Sequence, residues 1–220
     1  MKLDSIKKEI PKELFDILNK EIKELRPAQE KAVKKGLLKG KNLLVCTPTA
    51  SGKTLIAELA AVQNILGGKG KCVYIVPLKA LASEKFKDFK KRYGDFIRIA
   101  LSIGDLDSAD PYLADYDLIL CTAEKLDSLI RHHTPWLSLV ATVVVDEVHL
   151  MNDVGRGPTV EILITILRKL LKNMQLIALS ATIGNPEELA EWLQAELVID
   201  NWRPVKLHKG IYFGEEVEFY

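Results

Sequence analysis

The chain has 220 residues, 48% of them hydrophobic, with 31 Lys and Arg against 30 Asp and Glu. No stretch approaches the roughly 18 apolar residues of a membrane span, and the charged start MKLDSIKKEI lacks a signal-peptide core, so neither a membrane-spanning nor a secreted protein is expected. The net charge of +1 hides an asymmetry: residues 1–92 hold 21 basic and 10 acidic side chains, residues 93–220 hold 10 and 20, which raises the expectation of a polyanionic partner without defining a basic face.

Residues 1–25 read as a charged amphipathic helical segment ahead of the core. After it, short apolar runs alternate with longer amphipathic stretches. Strands are expected at 42–46, 71–76, 96–101, 116–121, 141–146, 175–180 and 196–200, because these runs are continuously apolar, as parallel strands covered on both faces must be. Helices are expected at 27–38, 53–66, 78–92, 123–132, 158–172 and 186–194. Pro158 and Pro186 suit a first helical turn, and Asn185 is placed as an N-cap. The alternation predicts one α/β domain, a doubly wound, mainly parallel sheet of about seven strands with helices on both faces. Cys46, Cys72 and Cys121 each lie in or beside an apolar run. They read as buried free thiols of a reducing, cytoplasmic setting rather than as disulfide or zinc ligands.

The strongest local signal is TPTASGKT at 47–54, between the strand NLLVC and the helix that opens at Lys53. Gly52 allows close backbone approach. The peptide N–H groups of Thr49, Ala50, Ser51, Gly52, Lys53 and Thr54 can converge on phosphate oxygens at the positive end of that helix. Lys53 would reach the terminal phosphates, and the Thr54 hydroxyl would ligate Mg2+. The strict phosphate-loop pattern has Gly where this chain has Thr47.

A second strand, ATVVVDEVHL at 141–150, ends in two adjacent carboxylates. Successive side chains diverge on a strand, so Asp146 and Glu147 serve different tasks: Asp146 to hold the metal opposite Thr54, Glu147 to orient or deprotonate a water. His149, taken alone, reads as structural more often than catalytic. The Ser180-Ala181-Thr182 triplet that ends the next strand reads equally as a plain turn.

TPTASGKT, then DEVH 93 residues after Lys53, then SAT 34 residues after Asp146, resembles motifs I, II and III of superfamily-2 helicases. Arg26-Pro27-Ala28-Gln29 is similar to the Q-motif of that group, VPLKALASEK at 76–85 to motif Ia, TAEK at 122–125 to motif Ib, and Gly104-Asp105 to the Gly-Asp element between them. Asp153-x-x-Arg156-Gly157, SATIGNPEELAEWL and Asn201-Trp202-Arg203-Pro204-Val205 narrow the resemblance to the first RecA-like domain of archaeal Hjm-type helicases in the Ski-like branch. It covers about residues 25–206.

That resemblance implies a RecA-like P-loop NTPase domain over 26–203 and an ATP-driven 3′–5′ DNA translocase of repair and stalled-fork processing, working with ATP and Mg2+. Gln29 would select adenine. His149, Ser180 and Thr182 would couple the nucleotide to the strand, and Pro77, Lys79, Ala80, Thr122 and Lys125 would lie along single-stranded or branched DNA. Lys79 and Lys125 taken singly read equally as solvated helix lysines. The family's second RecA-like domain carries an arginine finger. Residues 204–220 read as the start of the connection to it, a short strand, so this chain by itself is expected to bind Mg-ATP but hydrolyse it weakly. RNA helicases of the same branch share these motifs, leaving RNA as the alternative polymer. A stand-alone nucleotide-gated nucleic-acid-binding module is a second reading, and a small-molecule kinase, for which no substrate arginines are recognisable, a third.

Overall fold

The computed structural model describes residues 1–104, 108–206, 208, 210–214 and 216–219. Asp105 of the Gly-Asp element lies outside them.

The first segment is not one helix. A 3-10 turn at Leu3–Ile6 is followed by α1, Lys12–Glu21, and an antiparallel bridge between Lys2 and Glu24 closes the segment on itself. Pro11 sets the break, because it disfavours helical backbone in the residue before it. The segment is also integral to the core: Leu3, Ile6, Leu14, Phe15 and Leu18 are buried in one cluster with residues of the central sheet.

Then follow α2 (Pro27–Lys34), β1 (Leu43–Cys46), α3 (Lys53–Leu66), β2 (Lys71–Val76), α4 (Lys79–Tyr93) and β3 (Ile99–Ser102). Next come β4 (Leu118–Thr122), α5 (Ala123–Arg131), β5 (Val140–Val145), α6 (Gly157–Leu170), β6 (Gln175–Ser180), α7 (Pro186–Leu193) and β7 (Glu196–Ile199). The helix expected over 27–38 ends at Lys34, where Gly36 takes a left-handed φ of 102° before a 3-10 turn at Leu37–Lys39. The strand expected at 96–101 begins only at Ile99, and Phe96 is exposed. Asn185 stands at the N-cap of α7, but its side chain donates to Glu188 Oε2 at 3.1 Å instead of accepting from the helix.

The seven strands form one sheet in the order β3-β4-β2-β5-β6-β1-β7, every pairing parallel. Alternation along each strand divides the core in two. Leu43, Val45, Tyr74 and Leu179 pack with α1 to α4 on one face, whereas Leu44, Cys46, Val73 and Ala178 pack with α5 to α7 on the other. Both faces bury apolar side chains, hence the continuous apolar runs. A second sheet lies apart from this one: β8 (Gly210–Phe213) pairs antiparallel with β9 (Glu216–Phe219), where one short strand was expected.

Because all seven strands point the same way, every strand end that carries a motif opens on one edge. The basic excess does not follow it. Lys41 and Lys69 precede strands and Lys71 opens one at the amino edge, while Lys53, Lys79 and Lys85 follow strands at the carboxyl edge. The charge asymmetry of the sequence therefore does not mark a single face. Among the described residues no helix is long and apolar enough to cross a membrane.

Candidate nucleotide site

The loop after β1 is held by its own backbone. Thr47 N–H donates to Ser180 O at 3.2 Å, the Thr47 and Ser51 hydroxyls lie 2.7 Å apart, and Ser51 N–H donates to Pro48 O. Thr47, the departure from the strict pattern, thus braces the loop and ties it to the end of β6. Ala50 (φ 64°) and Gly52 (φ 93°) are both left-handed, the alternation that turns successive N–H groups into an anion-binding concavity.

Lys53 opens α3 and is 8% exposed; its ammonium donates to Thr47 O at 3.1 Å. A buried ammonium held by a neutral carbonyl is arranged to exchange that partner for an anion, whose charge-assisted hydrogen bond is stronger. Gln29 Oε1 accepts from Arg26 N–H at 2.8 Å and its Nε2 donates to Gly52 O at 3.0 Å; Arg26 Nη1 donates to Ala50 O at 2.8 Å. Both side chains therefore tether the loop from α2. The Arg26 guanidinium also lies 5.5 Å from the Trp202 ring. A groove of ≈ 680 Å³ opens beside the loop, with Arg26, Gln29, Thr54 and Lys85 in its wall.

Asp146 and Glu147 follow β5 and point apart, as the strand geometry requires. Asp146 Oδ1 accepts from Glu147 N–H at 3.0 Å; its Oδ2 accepts from Tyr74 Oη at 3.2 Å and faces the Lys85 ammonium at 3.1 Å. The same ammonium donates to Thr54 Oγ1 at 3.3 Å. The structure therefore gathers Thr54 and Asp146, the two expected metal ligands, around one cation. Burial pushes the Tyr74 hydroxyl well above its ordinary value, reinforced by Asp146, so it stays protonated and donates.

Glu147 sits at φ 51°, an uncommon backbone for a residue with a side chain and one that concentrates at functional sites. Its Oε2 is 3.3 Å from His149 Nδ1, and the same nitrogen accepts from Ala181 N–H at 3.3 Å. One ring nitrogen thus faces both motif II and motif III, and only its protonated form can donate to Glu147. Ser180 Oγ is buried beside the Cys46 thiol, and Thr182 is exposed. Burial pushes the neighbouring Cys46 thiol up to about 11, opposed by the Ser180 hydroxyl.

The expected strand contacts divide. Pro77 is half-buried, while Lys79 and Ala80 are exposed in the first turn of α4. Thr122 is 4% exposed, and its hydroxyl caps α5 by accepting from Lys125 N–H. Lys125 requires correction. It is 1% exposed; its ammonium lies 3.0 Å from Asp110 Oδ2 and donates to Ser108 O at 3.1 Å, so it offers no charge to a backbone phosphate. Burial raises the Asp110 carboxyl, but hydrogen bonds from Ser108, Lys125 and Ser102 outweigh it and hold it below its ordinary value.

Sequence reasoning passed over Tyr74, Lys85 and the bracing role of Thr47. Lys85 stood inside the motif Ia stretch, but its spacing from Thr54 and Asp146 carries no signal until α4 is folded.

A parallel sheet with a Gly-Lys-Thr loop after β1, a carboxylate pair after β5 and a serine triplet after β6 is the α/β fold of RecA-like domains. Residues 26–189 match the DEAD/DEAH box helicase family, and the chain belongs to it. It is similar to the ATP-dependent DNA helicase Hel308 of Methanocaldococcus jannaschii, 58% identical over 205 residues that span 90% of this chain and 17% of that one. With the Hel308 of Pyrococcus horikoshii it is 50% identical over 214 residues, 97% of this chain and 29% of the other. The chain thus spans less than a third of the length of these relatives. Among solved structures it resembles the DUF1998 helicase MrfA bound to DNA and AMPPNP, with a TM-score of 0.75 and 30% identity over 88% of this chain and 29% of that one.

Proposed function

We propose that this chain is the ATP-binding motor domain, the first RecA-like domain over 26–203, of an ATP-dependent 3′–5′ DNA helicase acting in DNA repair or stalled-fork processing in the cytoplasm. The observation that carries the reading is the convergence of Lys53, Thr54 and Asp146 at one strand edge. The hydroxyl of Thr54 and the carboxylate of Asp146 are hard oxygen donors facing a common cation, a donor set suited to Mg2+ held partly through water. When bound there with ATP, Mg2+ would neutralise charge on the phosphate oxygens.

Each residue then has a task. The N–H groups from Thr49 to Thr54 cradle phosphate, and Lys53 moves from the Thr47 carbonyl to phosphate oxygens. Glu147 orients the attacking water, and Gln29 selects adenine beside the groove. His149, between Glu147 and Ala181, relays the nucleotide state toward Ser180 and Thr182. Pro77, Lys79, Ala80 and Thr122 follow the strand's backbone, where contacts position without reading sequence. Residues 204–220 begin the connection to a second RecA-like domain, whose arginine finger would contribute roughly 10³–10⁵ in turnover. This chain by itself is therefore expected to bind Mg-ATP but to turn it over weakly.

Titration of a fluorescent ATP analogue with Mg2+ tests the site: wild type binds and Lys53→Ala does not. Equal binding by both would refute the assignment. The names of the Hel308 relatives favour DNA over RNA. ATPase assays of the full-length protein with each single-stranded polymer decide between them, stimulation by RNA alone favouring the Ski-like RNA helicase reading.

A further inference from the structure

We propose that Lys85 is a positioning residue, a resident counter-cation that holds the divalent-metal position in the metal-free state and must leave when the metal arrives. The proposal rests on the nucleotide-site reading above and adds to it a competitor built into the chain. The ammonium is fixed from three separate elements: Thr54 Oγ1 of α3 at 3.3 Å, Asp146 Oδ2 after β5 at 3.1 Å, and the Tyr74 ring of β2, whose centroid is 5.4 Å away. Asp146 is 9% exposed and Lys85 19% exposed, so water screens this pair poorly.

Two cations that share these oxygens repel each other at close range, which weakens the hold on each. A lysine suits the task of yielding. Its charge sits on a flexible four-carbon stem, and it forms no rigid bidentate fork. The route out is present as well. The groove beside the site carries Glu84 and Asp88 of α4 and Glu21 and Glu24 near α1. Asp88 lies one helical turn beyond Lys85, within reach of a displaced ammonium. While it stays, Lys85 keeps the carboxylate and hydroxyl gathered without metal. When it leaves, the change is transmitted to α4, whose first turn carries the exposed Lys79 and Ala80.

The test titrates Mn2+ into the 220-residue chain saturated with ADP, reading free metal by electron paramagnetic resonance and correcting for Mn2+ held by free ADP. The expected result for Lys85→Met is a metal midpoint about tenfold lower than wild type, because the competing occupant of the binding-competent state is removed. Lys85→Arg, which keeps the charge and adds a bidentate fork, has a midpoint at or above that of wild type. Calorimetry on the same samples follows ADP. If wild type binds no ADP, the nucleotide reading falls and this proposal with it. If all three chains bind ADP and their midpoints coincide, or Lys85→Met binds metal more weakly, the Lys85 proposal alone is overturned. A second readout is thermal melting. Without divalent ions Lys85→Met melts below wild type, and it gains more from Mg2+ than wild type does; equal gains would overturn the proposal independently.

Discussion

The side-chain amide of Gln29 donates to the Gly52 carbonyl at 3.0 Å, so the first turn of α2 clamps the phosphate loop 23 residues downstream. A Cβ on residue 52 would sit 2.5 Å from Gln29 Nε2, at a backbone φ of 93° that side chains rarely adopt. Gly52→Ala is therefore expected to cost about 1–3 kcal/mol in denaturant unfolding, from strain and from displacement of Gln29. Nucleotide affinity measured by calorimetry should drop at least about tenfold, since the loop N–H groups lose their aim. A variant as stable as wild type with unchanged affinity would show that the clamp is dispensable.

Lys79 and Lys125 make opposite predictions although both stood in the same expected contact set. Lys125→Ala leaves the Asp110 carboxylate without its buried cation and should cost about 3 kcal/mol of stability. Lys79→Ala touches an exposed first-turn lysine and should change stability by less than about 0.5 kcal/mol. In the full-length protein, Lys79→Ala should lower the slope of log affinity for single-stranded DNA against log salt by about one. If Lys125→Ala reduces that slope while melting like wild type, the buried assignment is wrong.

Alkaline pH should destabilise the fold through its thiols. Burial raises Cys46 from 9.0 to about 11 and Cys121 from 9.0 to about 12, and raises Cys72 further still. A folded-state value above the unfolded one gives stability that is complete below pH 9 and lost as pH rises through the folded value. By pH 10 each thiol should have withdrawn on the order of 1 kcal/mol. The melting temperature should fall between pH 8.5 and 10.5 by calorimetry, and a thiol reagent at pH 8 should label the cysteines only after unfolding. Rapid labelling of the native chain would contradict the buried placement.

Residues 1–25 should not be separable from the rest. Leu14 is fully buried in the cluster that also contains Leu59 of α3 and Tyr74 of β2, so Leu14→Ala is expected to cost about 2–5 kcal/mol. Urea unfolding monitored by circular dichroism should show a single transition shifted to lower urea. A change below about 0.5 kcal/mol would mean that the segment lies loosely on the surface.

The sheet was legible because a parallel strand buried on both faces leaves a continuous apolar run, and each of the seven runs became a strand. The segment before Arg26 misled because its apolar residues reach or pack against the core from a 3-10 turn and from chain beside an antiparallel bridge as well as from α1. Its periodicity alone does not reveal the break that Pro11 imposes. The carboxyl-terminal strand pair was half legible: the strand character showed, but pairing depends on a turn at Gly214 that the apolar pattern does not encode.

By itself, the sequence determined the family: a Gly-Lys-Thr loop between strand and helix, a carboxylate pair after a buried strand, and motifs in an order that belongs to one helicase family. Those features depend on neighbours along the chain, whose geometry local rules govern. Only the tertiary structure decided which charges are free to act. Lys125 became an internal ion pair, Lys85 came to stand between Thr54 and Asp146, and the basic excess of the first 92 residues fell on opposite edges of the sheet. The net charge of +1 could not report any of this, because burial and pairing are set by contacts between residues far apart in sequence.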